Sequence, residues 1–426
     1  MSELKIDVHE KLPMAQMIPL GLQHLFAMFG ATVLVPLLVN GGVGTTVIPP
    51  NVALLTAGAG TLLFLAITQF KVPAYLGSSF AFIAPLIAVG TQYGPSYALG
   101  GAAAVGLLYA LVALVISLIG VDWLDRVLPP VVIGSVIIVI GLGLASTGVG
   151  MAGLSGEQVS LANVDVRISL FTLTVAILAS VFFKGFLAVI PILIGVVAGY
   201  VFALLQGAVD LTPVREAAWF ALPAGHRVAF SWQATAVLVP VGLVTIAEHL
   251  GDILVLSRVV DRDYYKDPGL HRTILGDGLA TMLAGFLGGP PNTTYGENIG
   301  VMAITGVYSV WVIATAAVMA ILLSFMQKFG ALIQTIPEPV MGGITIMLFG
   351  VIASSGIRTL VESGIDFGHK RNLIISSVIL VLGIGGAKLQ LGPITLEGMA
   401  LAAIVGIVLN LVLPSEMNAK DRVSSR

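Results

Sequence analysis

Long apolar stretches, separated by short breaks rich in charge, glycine or proline, run through almost the whole chain. A helix of roughly 20 apolar residues crosses a bilayer, so each stretch predicts one membrane span. The pattern predicts fourteen spans, at 14–38, 50–69, 74–90, 97–120, 128–147, 167–184, 186–205, 233–256, 269–288, 292–304, 307–326, 336–355, 372–387 and 393–413.

The positive charges support this number of spans. With the N-terminus inside, fifteen of the 20 lysines and arginines fall in loops or tails predicted to be inside. Cytoplasmic loops of membrane proteins carry such an excess. One missed span would invert every later loop and remove the asymmetry.

The third and tenth predicted spans differ from the others. The segments 73–85 and 290–302 are short, polar in the middle and begin at proline. They are seven spans apart, and an odd number of spans in a repeat places its two copies in opposite orientations. Interrupted segments at matching positions of inverted repeats are typical of the substrate site of a transporter. We expect Ser78 to Phe82 and Thr293 to Gly296 to be extended and to pair.

Composition and charge exclude several classes of protein. The chain has 57% hydrophobic and 10% charged residues, which indicates a multi-pass membrane protein. A net charge of −2 without a dense basic patch gives no support for a nucleic-acid partner. Cysteine is absent, which excludes disulfides and thiolate metal sites. The polar N-terminus, followed by a long apolar stretch, predicts no cleaved targeting segment.

Two glutamates, Glu248 and Glu297, lie within apolar sequence. A carboxylate inside a membrane costs several kcal/mol unless it faces a cavity or a partner, so such residues mark substrate or proton pathways. Asp252 follows Glu248 at a spacing of four, which places both acids on one helical face. Because the two negative charges repel, we expect one acid to hold a proton near neutral pH, as proton coupling requires.

The residues around Glu297 predict the chemistry of a ligand. A half-helix beginning near Asn298 would present free N–H groups, and Phe80 and Ser79 occupy the equivalent bend of the third span. Carboxylates accept N–H groups, backbone amides donate to C=O groups, and an aromatic face stacks. This combination suits a small planar lactam heterocycle. Two acids without further oxygen ligands suit a metal ion poorly.

Two other polar residues lie inside predicted spans. His24 could orient an acid or could be a packing residue, and Asp277 is interpreted as a helix–helix hydrogen-bonding residue. The small residues at 100–106 predict close helix packing, because no lysine follows them at the spacing of a phosphate loop. The sequence therefore gives no support for an ATP-driven transporter.

Four motifs in order resemble the nucleobase-ascorbate transporter family. The first three are Gln23–Gly30, Pro73–Phe82 and Ala247–His249. The fourth, Glu297-Asn298-x-Gly300-x4-Thr305-Gly306, fits the family pattern [Gln/Glu/Pro]-Asn-x-Gly-x4-Thr-[Arg/Lys/Gly]. The resemblance covers nearly the whole chain.

The resemblance implies an all-α membrane protein of two inverted seven-span repeats, with spans 3 and 10 interrupted by short strands. It implies a core domain at 14–120 and 233–326 and a gate domain at 121–232 and 327–413. The implied activity is uptake of uracil coupled to protons. The resemblance also implies a homodimer in the inner membrane with both termini cytoplasmic. No cofactor and no enzymatic activity are expected.

The resemblance also implies roles for individual residues. Glu248 and Glu297 would bind uracil, the backbone amides of Phe80 and Gly296 would donate to it, and Tyr295 and Ser79 would line the site. Glu248, Asp252 and His24 would take part in proton coupling. Asp252 stands where a well-known member of the family has histidine, although other members use Asp there, and Gly306 stands where uracil carriers often have arginine.

Three alternatives to this prediction would need other residues. A purine or xanthine carrier of the same family tends to have glutamine where this chain has Glu297. An anion exchanger of the same fold would need a basic residue near the half-helix ends, and the interrupted spans contain none. A membrane-embedded enzyme would need a nucleophile–base pair or a metal cluster, and neither pattern is present.

Overall fold

The computed structural model describes residues 6–156, 159–392 and 394–414. Four of the positive residues predicted to be inside, Lys5, Lys420, Arg422 and Arg426, lie outside this described part.

The first half of the described chain contains ten α-helices, most of them apolar. They are α1 (Met14–Val43), α2 (Pro50–Ile67), α3 (Ile83–Gln92), α4 (Pro95–Ile119), α5 (Asp122–Val127), α6 (Pro130–Leu142), α7 (Ala145–Met151), α8 (Val164–Phe182), α9 (Pro191–Leu205) and α10 (Thr212–Glu216).

The second half of the described chain contains eight more. They are α11 (Trp232–Val260), α12 (Leu270–Leu287), α13 (Gly296–Thr305), α14 (Val310–Ser324), α15 (Gln327–Gln334), α16 (Glu338–Glu362), α17 (Lys370–Ile384) and α18 (Gly398–Val412). The described strands are β1 (Leu76–Ser78), β2 (Asn292–Thr294), β3 (Lys388–Leu391) and β4 (Ile394–Glu397).

The chain is a mostly helical membrane protein. Within the described residues, seven helical segments are long and apolar enough to cross a bilayer, judged by length and composition. Shorter apolar helices, including α9, α14 and α18, accompany them. The number of fourteen spans and their inverted arrangement stay predictions.

Strands β1 and β2 pair antiparallel, with Leu76 opposite Thr294, Gly77 opposite Thr293 and Ser78 opposite Asn292. Each strand leads into a short helix, and the two strands run in opposite directions. Because both strands are buried, their polar groups need partners inside the protein. Thr61 supplies one, since its hydroxyl contacts both the N–H and the carbonyl of Leu76 at 3.0 and 3.2 Å.

The structure corrects three details of the sequence prediction. Phe80–Phe82 form a 3-10 turn, and Gly296 is the first residue of α13, although both were expected to be extended. The predicted last span began at 393, whereas Ile394–Glu397 form strand β4 and the helix begins at Gly398. The alternation of polar and apolar residues in Lys388–Leu391 favours this β3–β4 hairpin.

The structure divides into two compact units along the chain. The first comprises the described residues up to Ile119 together with Ala145–Leu348, and the second comprises Gly120–Leu144 with the described residues from Phe349 onward. All residues of the predicted site belong to the first unit. The core and gate domains expected from the sequence are a different division and stay a prediction.

Small residues allow helices α4 and α12 to pack closely within the first unit. A Cβ on Gly106 would overlap the carbonyl oxygen of Gly278, and one on Gly285 would come within 2.6 Å of the Ala103 backbone nitrogen. Glycine is therefore required on both helices, as expected for helix packing in a membrane.

Candidate functional site

Tyr295 connects the two interrupted segments. Its hydroxyl donates to the carbonyl oxygen of Ser78 at 3.0 Å and accepts from the Thr32 hydroxyl at 3.1 Å. The ring lies so close to Gly77 that a Cβ there would overlap it. Tyr295 is buried, so within the site it acts by holding the β1–β2 ladder against α1.

Two short helices begin directly after the paired strands. The 3-10 turn that leads into α3 begins at Phe80, and α13 begins at Gly296. The first N–H groups of a helix have no intrahelical acceptor and carry a partial positive charge. Gly296 is exposed and Phe80 is half-buried, so a ligand can reach both positions.

Three carboxylates lie around these helix ends. Glu248 and Asp252, one turn apart on α11, and Glu297, in the first turn of α13, are all half-buried. The Asp252 Oδ1 atom lies 3.9 Å from the position that a Cβ would occupy on Gly296. Asp252 therefore approaches α13 at the residue that precedes Glu297, which brings acids of α11 and α13 to the same helix end.

Two other predicted site residues are buried away from this opening. Ser79 is fully buried and donates its backbone N–H to the Pro291 carbonyl oxygen at 2.9 Å, while its hydroxyl has no partner among the described residues. His24 contacts the Asn298 amide, whose nitrogen lies 3.1 Å from both the ring Nδ1 and the backbone oxygen of His24. Among the described residues, His24 therefore contacts an amide of the fourth motif, and its orienting of an acid stays a prediction.

A buried polar cluster lies behind the site. Asp277 of α12 contacts α11 in it, as predicted for a helix–helix hydrogen-bonding residue, but its partner was not predicted. The His249 Nδ1 atom lies 3.2 Å from Asp277 Oδ2 and 2.7 Å from the Thr294 hydroxyl. His249 and Asp277 are both fully buried. The position of His249 next to Glu248 was the available signal, but the sequence alone could not select Asp277 as its partner.

The arrangement supplies hydrogen-bond acceptors and hydrogen-bond donors in one place. Carboxylates of Glu248 and Glu297 accept N–H groups, and the helix ends at Phe80 and Gly296 donate to carbonyl oxygens. The ladder and the His249 cluster hold these groups in position from behind. A small neutral heterocycle with adjacent N–H and C=O groups fits this pattern.

Comparison with known proteins gives a family and several close relatives. Residues 15–392 match the family model described as "Permease family". The uracil permease of Bacillus caldolyticus is 53% identical over 99% of this chain and 98% of its own length. The uracil permease of Escherichia coli K12 is 51% identical over 97% and 94%, respectively. These relatives are transport proteins and not enzymes.

Two solved structures share the fold at low identity. The transmembrane domain of the cyanobacterial bicarbonate transporter BicA matches with a TM-score of 0.62 at 14% identity, covering 96% of this chain and 99% of that one. Murine Solute Carrier 26 family member A9, an anion transporter, matches with a TM-score of 0.68 at 12% identity, covering 95% and 69%.

Proposed function

Because this chain belongs to the permease family, whose model matches residues 15–392, we propose that it takes up uracil across the cytoplasmic membrane by proton-coupled secondary transport. Relatives about half identical over nearly the full length are uracil permeases. The lactam chemistry predicted from the sequence fits uracil, which carries alternating N–H and C=O groups.

The observation that carries the proposal is the cluster of acids at the beginning of α13. Asp252 approaches Gly296, and Glu297 follows in the next position. In the proposed complex, Glu248 and Glu297 accept the two uracil N–H groups, and the amides of Phe80 and Gly296 donate to its carbonyl oxygens. Tyr295 and Ser79 support the backbone that carries these amides.

Proton coupling in this proposal depends on the acids of α11. Glu248 and Asp252 are one turn apart, so the pair holds one proton more readily than it loses both. A proton that binds together with uracil and leaves with it would make uptake follow the proton gradient. His24 would contribute through Asn298, the residue directly after Glu297, which it contacts.

The proposed architecture is that of an alternating-access carrier. Fourteen spans form two inverted repeats. The core domain carries the site, and the gate domain forms the contacts of a homodimer. The protein lies in the cytoplasmic membrane with both termini inside the cell. The antiparallel pairing of β1 with β2 supports inverted repeats, since equivalent elements of such repeats run in opposite directions.

A purine or xanthine carrier is the alternative within the family, and Glu297 in the first motif position favours uracil over it. An anion exchanger is the alternative within the fold. The structural similarity to anion transporters concerns the fold alone, and a site lined by Glu248, Glu297 and Asp252 repels anions.

Uptake of radiolabelled uracil by cells lacking their own uracil carrier tests the proposed function. We expect uptake that is competed by unlabelled uracil, unaffected by xanthine or bicarbonate, and abolished by a protonophore. Preferential competition by xanthine would support the purine carrier instead. Uracil uptake that ignores the protonophore would contradict proton coupling.

A further inference from the structure

Residues 6–11, here called the strap, lie along the segment that follows α13. The Ile6 N–H donates to the Gly306 carbonyl oxygen at 3.0 Å, and the N–H groups of Tyr308 and Val310 donate to the carbonyls of Ile6 and Val8, both at 2.9 Å. Val8 is fully buried. The strap is therefore a folded part of the first unit and is bound to the C-terminal end of α13.

Side chains fasten the other end of the strap. The Ser309 hydroxyl donates to the carbonyl oxygen of Glu10 at 2.6 Å. The Lys11 ammonium lies 4.0 Å from the centre of the Trp311 ring, and that ring stacks on Phe70 at 5.3 Å. A cation over an indole face is a favourable contact. Two kinds of interaction thus hold the strap against the beginning of α14.

Asp7 connects the strap to a second helix. Arg262 Nη2 donates to both carboxylate oxygens of Asp7, at 2.8 Å each. Arg262 comes directly after Asp261, whose left-handed backbone conformation ends α11. The Arg262 N–H donates to the Ser257 carbonyl oxygen at 2.9 Å. The ion pair therefore ties the strap to the C-terminal end of α11.

The two helices joined in this way are those that carry the proposed substrate acids. Glu297 lies about 12 Å along α13 from its last residue, Thr305, and Glu248 lies on α11. Helices are stiff, so a shift at one end moves the other end. We propose that the strap positions α13 relative to α11, with Asp7 and Arg262 as positioning residues that set the separation of Glu297 and Glu248. This inference rests on the proposed function of the site.

Spin labels test the positioning directly. The chain has no cysteine, so Val255→Cys on α11 and Ile304→Cys on α13 label only these two exposed positions. We expect one narrow distance distribution between the labels in the otherwise unchanged chain and a broader or shifted one with Asp7→Ala. A charge-reversed pair, Asp7→Arg with Arg262→Asp, should restore the narrow distribution.

Uracil binding provides the second readout. Because a partly exposed ion pair contributes little free energy, Asp7→Ala or Arg262→Ala should raise the uracil Kd by only about two- to fivefold, and the charge-reversed pair should recover it. Asp263→Ala is the matched control, because Asp263 pairs at 3.0 Å with Lys266 inside the same loop. It should change neither the Kd nor the label distances.

The outcomes separate this inference from the proposed function. If the parent chain does not bind uracil, the proposed function is wrong. The label distances still test whether the strap positions α13 relative to α11. Label distances in Asp7→Ala that superimpose on those of the parent would overturn the inference. So would an equal rise in the uracil Kd with Asp263→Ala.

Discussion

The carboxylate of Asp252 approaches the first residue of α13, with its Oδ1 atom 3.9 Å from where a Cβ on Gly296 would lie. The acid of one helix and the free amide end of another therefore border the same space. A substrate bound there would contact both, and a methyl group added at Gly296 would occupy part of that space while making only an ordinary contact with Asp252.

Gly296→Ala should therefore weaken uracil binding and leave the fold intact. The added methyl makes only ordinary contact with protein atoms, but it would overlap the proposed substrate, at a cost of about 1 to 3 kcal/mol. Calorimetric titration with uracil measures this loss. Gly251→Ala on α11 is the control, because within the described part of the chain its added Cβ would point into open space. Equal affinities for Gly296→Ala and the parent would place the substrate elsewhere.

Gly77→Ala should disrupt the ladder, because its Cβ would overlap the Tyr295 ring. We expect a lower unfolding temperature in detergent, measured by following the fluorescence of the protein while the sample is heated. Combining it with Tyr295→Ala should recover part of this loss, since the smaller side chain removes the overlap. Gly41→Ala in α1, where the added Cβ meets open space, should behave like the parent. A Gly77→Ala protein of unchanged stability would show that the close approach is not required.

The buried pair of His249 and Asp277 should stabilise the fold behind the site. His249→Ala leaves a buried carboxylate without its partner, and such a loss costs about 3 to 5 kcal/mol. Removing both side chains together should cost less than the sum of the two single changes. Unfolding temperatures of His249→Ala, Asp277→Ala and the double variant measure this coupling. Strictly additive effects would mean that the two side chains do not interact.

Asp252→Asn should change the pH dependence of uptake without abolishing binding. Two carboxylates one helical turn apart repel each other when both are ionised, so the pair of Glu248 and Asp252 favours holding one proton. An amide at position 252 removes this repulsion, so the site should lose its coupled proton at a lower pH, and the uptake-versus-pH curve should move to lower pH. Uracil binding at low pH should survive. An Asp252→Asn curve that overlays that of the parent would contradict this role.

The sequence predicted the helical membrane class and the location of the interrupted segments. Proline and polar residues at 73–85 and 290–302 cannot form an apolar spanning helix, so the breaks were visible without coordinates. The beginning of α13 at Gly296 was not predicted, because residue preferences do not fix a helix boundary within a few residues.

The partners of buried polar residues could not be read from the sequence. His249 contacts both Asp277 and Thr294, but these residues come from three different elements. Only the three-dimensional packing of α11, α12 and β2 selects these contacts. The same reason explains why Asp7 and Arg262, 255 positions apart, were not recognised as a pair.

The most direct test is calorimetric titration of uracil into the purified Glu248→Gln and Glu297→Gln variants. Each change replaces an acceptor by an amide that can present a donor, so a buried ligand N–H loses its partner at a cost of about 1 to 3 kcal/mol. Glu362→Gln, a change at an exposed acid, is the matched control. We predict that both site variants lose roughly 5- to 150-fold in affinity, whereas the control binds like the parent. Parent-like binding by either site variant would contradict the proposed site.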